Sequence, residues 1–253
     1  MRNIRVVFAV LSLSVVLVAG VADELQAQEK RQGWIKRLRY RRELRRELQE
    51  IQLSGAFALY PMAVKWAEEF RKIHPKVRID ISAGGAGKGI TDALAKVVDL
   101  GMVSRDIYPQ ELEKGAFPIA VVKDAVVPTI NSNNPLIDQI LATGLKQQVA
   151  QDLWIHTTAR TWGDVLGTGS TIPVHVYTRS DACGAAETFA AWLGAKQEDL
   201  EGTAVFGDPG VTSVVQRDKV GIGFNNIAYA YDINSKKPYR HIAVIPLDLN
   251  GNG

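Results

Sequence analysis

The sequence predicts an α/β protein built on a mostly parallel, doubly wound sheet. Three observations lead there. Short apolar runs of strand length alternate with stretches whose apolar residues recur at helical spacing. The connections are rich in turn formers, with 22 glycines and 10 prolines in 253 residues. The order strand, helix, strand, helix, strand near the start of the body calls for parallel neighbours joined by helical crossovers.

The chain opens with Arg2 and Arg5, then an almost unbroken apolar run from Val6 to Ala22, then Asp23, Glu24, Gln26 and Gln28. This pattern reads as an export signal over residues 1–27, with cleavage after Ala27. A retained anchor is the alternative, since the run sits at the short limit for a spanning helix. No later stretch is long enough to span a bilayer. The only cysteine, Cys183, leaves no partner for an internal disulfide or a thiolate zinc site, and it lies too far from the signal to carry a lipid. A periplasmic address is therefore expected.

Residues 28–50 hold nine lysines and arginines against four acids. With Leu44, Leu48 and Ile51 at helical spacing, this segment reads as a basic helical linker. Adhesion to anionic lipid or nucleic acid is the competing reading. Residues 1–27 are balanced, so a linker of +5 within a total of +3 leaves the body, 51–253, at −2. The basic pI thus belongs to the linker, and the body gives no reason to expect a nucleic-acid partner.

In the body, Ile51–Leu53 is expected as a strand and Met62–Ile73 as a helix with Ala63, Trp66, Ala67 and Phe70 on one face. Val77–Ile81 alternates as a strand. A glycine loop at 84–89 follows, then a helix over Ile90–Val98 and a strand over Leu100–Val103. The apolar run Ile119–Ile130 is long enough to carry the chain between lobes. Ile137–Ala142 and Trp162–Leu166 are short helices, Pro173–Thr178 a strand, and Ala185–Leu193 a helix. Val220–Phe224 and His241–Pro246 are further strands.

Three segments taken together resemble the phosphate-binding proteins of bacterial and archaeal ABC transporters. They are Ser54-Gly55-Ala56-Phe57-Ala58-Leu59-Tyr60-Pro61, the glycine loop with its helix through to Val103-Ser104-Arg105, and Tyr177-Thr178-Arg179-Ser180-Asp181-Ala182-Cys183-Gly184-Ala185. Thr161-Trp162-Gly163-Asp164-Val165 and Gly221-Ile222-Gly223-Phe224 support them, in matching order across about residues 51–250. The resemblance implies two doubly wound α/β lobes joined by a two-stranded hinge, in the manner of type II periplasmic binding proteins. The first lobe would be 51–122 plus 231–253, incomplete, and the second 123–230. It implies a small anionic ligand, an ABC permease as partner, a monomer and no enzymatic activity. A sensory or scavenging binder without a transporter is the alternative.

Ligand-binding residues are expected at the three strand-to-helix turns: Ala58, Leu59 and Tyr60; Ala83, Gly84, Gly85 and Ala86, with Ser104 and Arg105; and Arg179, Asp181, Cys183, Gly184 and Ala185. Helix N-termini present unpartnered N–H groups to an anion, and glycines let the backbone approach. Arg179 would hold two oxygens of one anion, with Asp181 fixing the guanidinium or capping the next helix. The chain departs from the family at several positions. Leu59 replaces a threonine, Ala83 or Ala86 a serine, and Cys183 and Ala185 a serine and a threonine. Arg105, followed by Asp106, replaces a carboxylate. A second cation at Arg105 would favour a fully ionised anion such as sulfate, tungstate or molybdate. Cys183 reads as a small packed cysteine or a weak ligand donor; the competing reading is a hydrolase nucleophile with its pKa lowered at a helix start and His175 as the only near base. No cofactor or metal is expected; the tail Asp248–Gly253 carries only the first half of a calcium loop.

Overall fold

The computed structural model describes residues 28, 30–37, 39, 40 and 50–248. The export signal and the calcium-loop match beyond Asp248 lie outside them. Residues 30–37 are helical and exposed. Among the described residues, no helix is long and apolar enough to cross a membrane.

Residues 51–75, with 79–248, form a compact unit containing two α/β lobes. The first lobe carries three strands, β1 (Glu50–Gly55), β2 (Arg78–Ala83) and β3 (Leu100–Met102), in the order β2-β1-β3. β1 and β3 are parallel, as the crossover pattern requires. Helix α1 (Tyr60–Ile73) has a proline in its first turn and ends at His74, before Pro75. Only Ala63 and Ala67 of its expected apolar face are buried; Trp66 and Phe70 are exposed.

Helix α2 (Ala86–Leu94) begins four residues before the expected start and takes in most of the glycine loop. Gly89 explains this. A Cβ there would lie 2.3 Å from the Met102 carbonyl oxygen and 2.9 Å from the Gly55 Cα. The glycine lets the helix lie directly on β1 and β3, so it is a packing residue and not a loop residue. The core here is correspondingly small-sided: Ala56, Ala63, Ala86 and Met102.

The chain leaves the first lobe through the short helix α3 (Pro109–Glu113) and an irregular stretch in which Phe117 and Ile119 are exposed. It then enters β4 (Val126–Asn131), so the apolar run expected from Ile119 becomes a strand only in its second half. The Ala125 carbonyl accepts the Ile227 N–H, which ties together two stretches running out of the second sheet.

The second sheet has five strands: β4, β6 (His175–Arg179), β7 (Thr203–Val205), β8 (Gly221–Asn226) and β9 (Ile242–Val244). Their order is β7-β6-β8-β4-β9. β6 runs parallel to β7 and β8, while β4 is antiparallel to both β8 and β9. Around it lie α4 (Ile137–Thr143), α5 (Gln147–Trp154), α6 (Trp162–Leu166), α7 (Gly184–Trp192) and α8 (Gly207–Arg217). One cluster unites Trp154, Trp162, Phe189, Phe224 and Ile130, with the Phe189 and Phe224 rings stacked at 4.4 Å. Burying each such side chain contributes about 1.5–3 kcal/mol.

The tail departs from its expected place. Ile242–Val244 pairs with Asn131–Thr129 of β4, and β10 (Leu247–Asp248) pairs with β5 (Leu145–Lys146). The described end of the chain therefore completes the second lobe and does not rejoin the first. The apolar face of Ile242 and Ile245, both buried, finds its cover there.

Candidate functional site

The three turns meet. The Gly87 N–H, in the first turn of α2, donates to the Ala182 carbonyl at 3.3 Å. A Cβ on Gly85 would meet that carbonyl at 2.9 Å and an Asp181 carboxylate oxygen at 3.0 Å, and Gly85 holds a φ of +90°, which side chains other than glycine avoid. Ser104, just past β3, lies against the start of α7: a Cβ on Gly184 would lie 1.6 Å from the Ser104 carbonyl oxygen. The first turn contributes Phe57, whose ring lies 5.8 Å from the Arg179 guanidinium and against Gly207. Tyr229 donates its hydroxyl to the Phe57 carbonyl at 3.0 Å. Groups from both lobes thus meet in direct contact at the gap between them.

Arg179 sits at the end of β6 with its side chain fully buried. Its Nε and Nη2 donate to the two oxygens of Asp181 at 2.9 and 2.6 Å, and its Nη1 donates to Asp208 at 2.7 Å. Burial works against the charged guanidinium, but the bonds to Asp181 and the charge of Asp208 outweigh it and hold its pKa above the ordinary value. Asp208, also fully buried, accepts from the Asn226 backbone N–H at 2.8 Å and side-chain amide at 2.9 Å. Asp181 further accepts the Gly207 N–H at 3.0 Å. One cation and two carboxylates give this node a net charge of −1.

Asp181 therefore fixes the arginine, one of its two expected roles. Asp208 was missed by sequence reasoning. Its signal was present: Gly207-Asp208-Pro209 opens a stretch with Val211, Val214 and Val215 at helical spacing, the signature of a helix start.

Arg105 is not a free cation in the gap. Its Nη1 and Nη2 clasp Glu111 at 2.9 and 2.7 Å, its guanidinium lies 4.0 Å over the Tyr108 ring, and its Nε is 3.6 Å from Glu187 of α7. Glu187 also accepts the Tyr108 hydroxyl at 2.5 Å. The bond from Arg105 holds Glu111 below the ordinary glutamate range. The argument for a fully ionised ligand lapses with this neutralisation.

Several expected ligand positions are packing positions. Ala86 and Ala185 are fully buried in the two cores, and Leu59 and Tyr60 pack against the first. Ala58 lies in a single 3-10 turn over Phe57–Leu59 ahead of α1, and Ala83 closes β2. Gly84 and Gly85 donate their N–H groups to the Gly55 carbonyl. What these positions can offer a ligand is backbone, not side chain.

Cys183 is buried, as a packed cysteine would be, and the lowered pKa of the competing nucleophile reading does not hold. Burial pushes its thiol up to about 12, more than Arg179 nearby can offset. Its N–H donates to Gln197 Oε1 at 3.1 Å. The only histidine offered as its base, His175, instead bonds Asp218 through Nδ1 at 2.6 Å. Among the described residues, no cluster of histidine, cysteine and acid side chains would hold a metal ion.

The sequence matches the PBP superfamily domain over residues 18–241. The chain belongs to that superfamily. Family members with detectable sequence similarity include Protein SphX of Synechococcus elongatus, 28% identical over 210 residues that cover 80% of this chain and 60% of that protein. The phosphate-binding protein PstS of Xylella fastidiosa is 28% identical over 209 residues, covering 73% of this chain and 56% of its own length. The chain thus spans about three-fifths or less of these relatives. Among solved structures, a putative phosphate ABC transporter substrate-binding protein with bound phosphate from Clostridium perfringens superposes with a TM-score of 0.67 at 25% identity, over 79% of this chain and 76% of that one. An ABC-type phosphate transport receptor from Vibrio cholerae shares the fold, with a TM-score of 0.55 at 18% identity over 79% and 77% of the two chains.

Proposed function

We propose that the chain is an extracytoplasmic solute-binding protein. It captures phosphate, or a closely related protonated oxyanion, between its lobes and presents it to an ABC permease. The observation that carries this reading is the convergence of the glycine turn, the Ser104 turn and the Arg179–Gly184 segment on one gap. Relatives bearing phosphate-binding names favour the same ligand.

The binding chemistry follows from the node. With Arg179 matched by two acids, affinity for an anion rests on main-chain N–H groups at the helix starts, which need no side-chain hydroxyl. The Ala182 carbonyl takes the Gly87 N–H. A ligand oxygen replaces that carbonyl, and the 181–182 loop withdraws slightly to admit it. The Asp181 carboxylate borders the glycine turn and accepts a proton carried by the ligand. Hydrogen phosphate supplies such a proton and sulfate does not, so the site selects between two ions of one shape.

The chain acts by binding and not by catalysis. The buried neutral Cys183 thiol is a packing group. Isothermal titration with phosphate and with sulfate tests the reading. The expected outcome is saturable phosphate binding and sulfate binding at least about tenfold weaker, the value of one lost buried hydrogen bond. Absence of heat with phosphate, or equal affinity for the two ions, refutes it.

A further inference from the structure

The most highly charged stretch of the chain is residues 28–50. Lys30, Arg31, Lys36, Arg37 and Arg39 are all exposed, and none of the described residues among 28–40 is acidic. Over the helical residues 30–37, a turn of 100° per residue sets Trp34 and Ile35 on one side with Arg31 between them. Lys30 and Arg37 border that side on one flank, and Arg39 borders it on the other. Trp34 is 57% exposed, Ile35 41% and Tyr40 65%. A tryptophan and an isoleucine, both exposed, stand among cations on one side of this helix, and Tyr40 lies on the opposite side.

We infer that this segment lies on an anionic phospholipid surface, its apolar side at the headgroup boundary and its cations on lipid phosphates. Two features select a bilayer over a nucleic acid. Phosphate backbones would satisfy the cations but leave Ile35 in water, whereas a bilayer interface takes the ring, the branched chain and the charges together. The segment also follows closely on the apolar run Val6–Ala22 in the sequence, which would hold it at a membrane if retained and would carry it across one if it is an export signal. The gain is local concentration: a binder held at the bilayer meets its permease in two dimensions.

The test uses the full chain and vesicles of phosphatidylcholine alone or mixed with phosphatidylglycerol. The apolar run contributes equally to both, so the difference between them reads the basic segment. The expected result is at least about tenfold stronger partition to the phosphatidylglycerol mixture, abolished by raised salt. A blue shift in tryptophan emission accompanies it and disappears in Trp34→Phe. The quadruple variant K30E/R31E/K36E/R37E loses the preference. Equal partition to the two vesicles, a preference that survives in the quadruple variant, or tighter binding to single-stranded or duplex DNA than to the anionic vesicles overturns the proposal. The salt dependence is read on the unaltered chain, so the conclusion does not hang on how the variants fold.

Discussion

Two arginines, one in each lobe, have side chains largely removed from water, and they are held in different ways. Arg179 has all its charge partners in the second lobe: Asp181 at the end of the same strand and Asp208 at the start of α8. All three side chains are almost wholly removed from water. Arg105, in the first lobe, is clasped by its own neighbour Glu111 and reaches across to Glu187, whose side chain is 30% exposed. The first arrangement is part of the fold. The second bridges the two lobes and is wetter, with Glu187 30% exposed. On the proposed function this contact is made and broken as the lobes close and open, and a partly exposed pair is weak enough to allow it, whereas a permanently buried charge requires full pairing.

Removing an acid from the fixed node should have the largest effect. Asp208→Ala leaves Arg179 paired with Asp181 alone and takes the acceptor from three buried donors, Arg179 Nη1, the Asn226 N–H and the Asn226 side-chain amide. At about 1–3 kcal/mol for each buried donor left unsatisfied, the expected loss is about 3–5 kcal/mol of unfolding free energy, measured by denaturant titration, with phosphate binding lost as well. A loss near zero would show that the node is not held as tightly as its geometry indicates.

Gly184→Ala tests the gap itself. The added Cβ collides with the Ser104 carbonyl oxygen of the opposite lobe. Because the obstacle lies across the gap, opening relieves it without unpacking either core. Overpacking of this kind costs about 1–3 kcal/mol, here expressed as a roughly tenfold or greater loss of phosphate affinity with little change in unfolding midpoint. Small-angle scattering should show a more open form. Gly89→Ala is the contrast: its collision with Met102 and Gly55 lies inside one lobe, opening cannot relieve it, and the midpoint itself should fall.

The contrast between node and latch also marks how far the sequence could be read. Motifs that repeat a local pattern were legible: the strand-to-helix turns, the helix at Trp162–Leu166 and the pairing of Arg179 with Asp181 two residues on. Partners separated along the chain were not. Asp208 lies 29 positions from Arg179, and Glu187 lies 79 from Tyr108. No periodicity links such residues, and only the fold brings them together. The same limit led to the wrong fate for Arg105. As a lone cation in a turn it looked available, and nothing in the sequence announced that Glu111, six residues later, would swing back to clasp it. The lowered pKa weighed for Cys183 as a nucleophile failed for another reason: its place at a helix start was right, but burial outweighs a helix terminus in setting a thiol's pKa.

Cutting the latch should do less than either change above. Glu187→Gln keeps an acceptor for Tyr108 but removes the charge that faces Arg105. For a partly exposed pair the cost is below about 1 kcal/mol, so phosphate affinity should fall by no more than about fivefold. Stability should stay unchanged. A larger loss measured by titration would place Glu187 in the binding machinery itself.

The smallest effect is one of pH. The bond from Arg105, together with the Tyr108 N–H, holds Glu111 below its ordinary value of 4.5. A depressed carboxyl contributes stability that is complete above the unfolded value and is lost as pH falls through the lower, folded one. The clasp on Arg105 should therefore loosen only on the acid side of that value and be unaffected near neutrality. Other depressed acids, Asp218 among them, add their own acid limbs, so the informative quantity is the difference between the chain and its Glu111→Gln variant. That difference in unfolding midpoint should be constant above about pH 5 and shrink toward zero below it. A difference that stays level into strong acid would mean that Glu111 is not the group whose ionisation holds Arg105 in place.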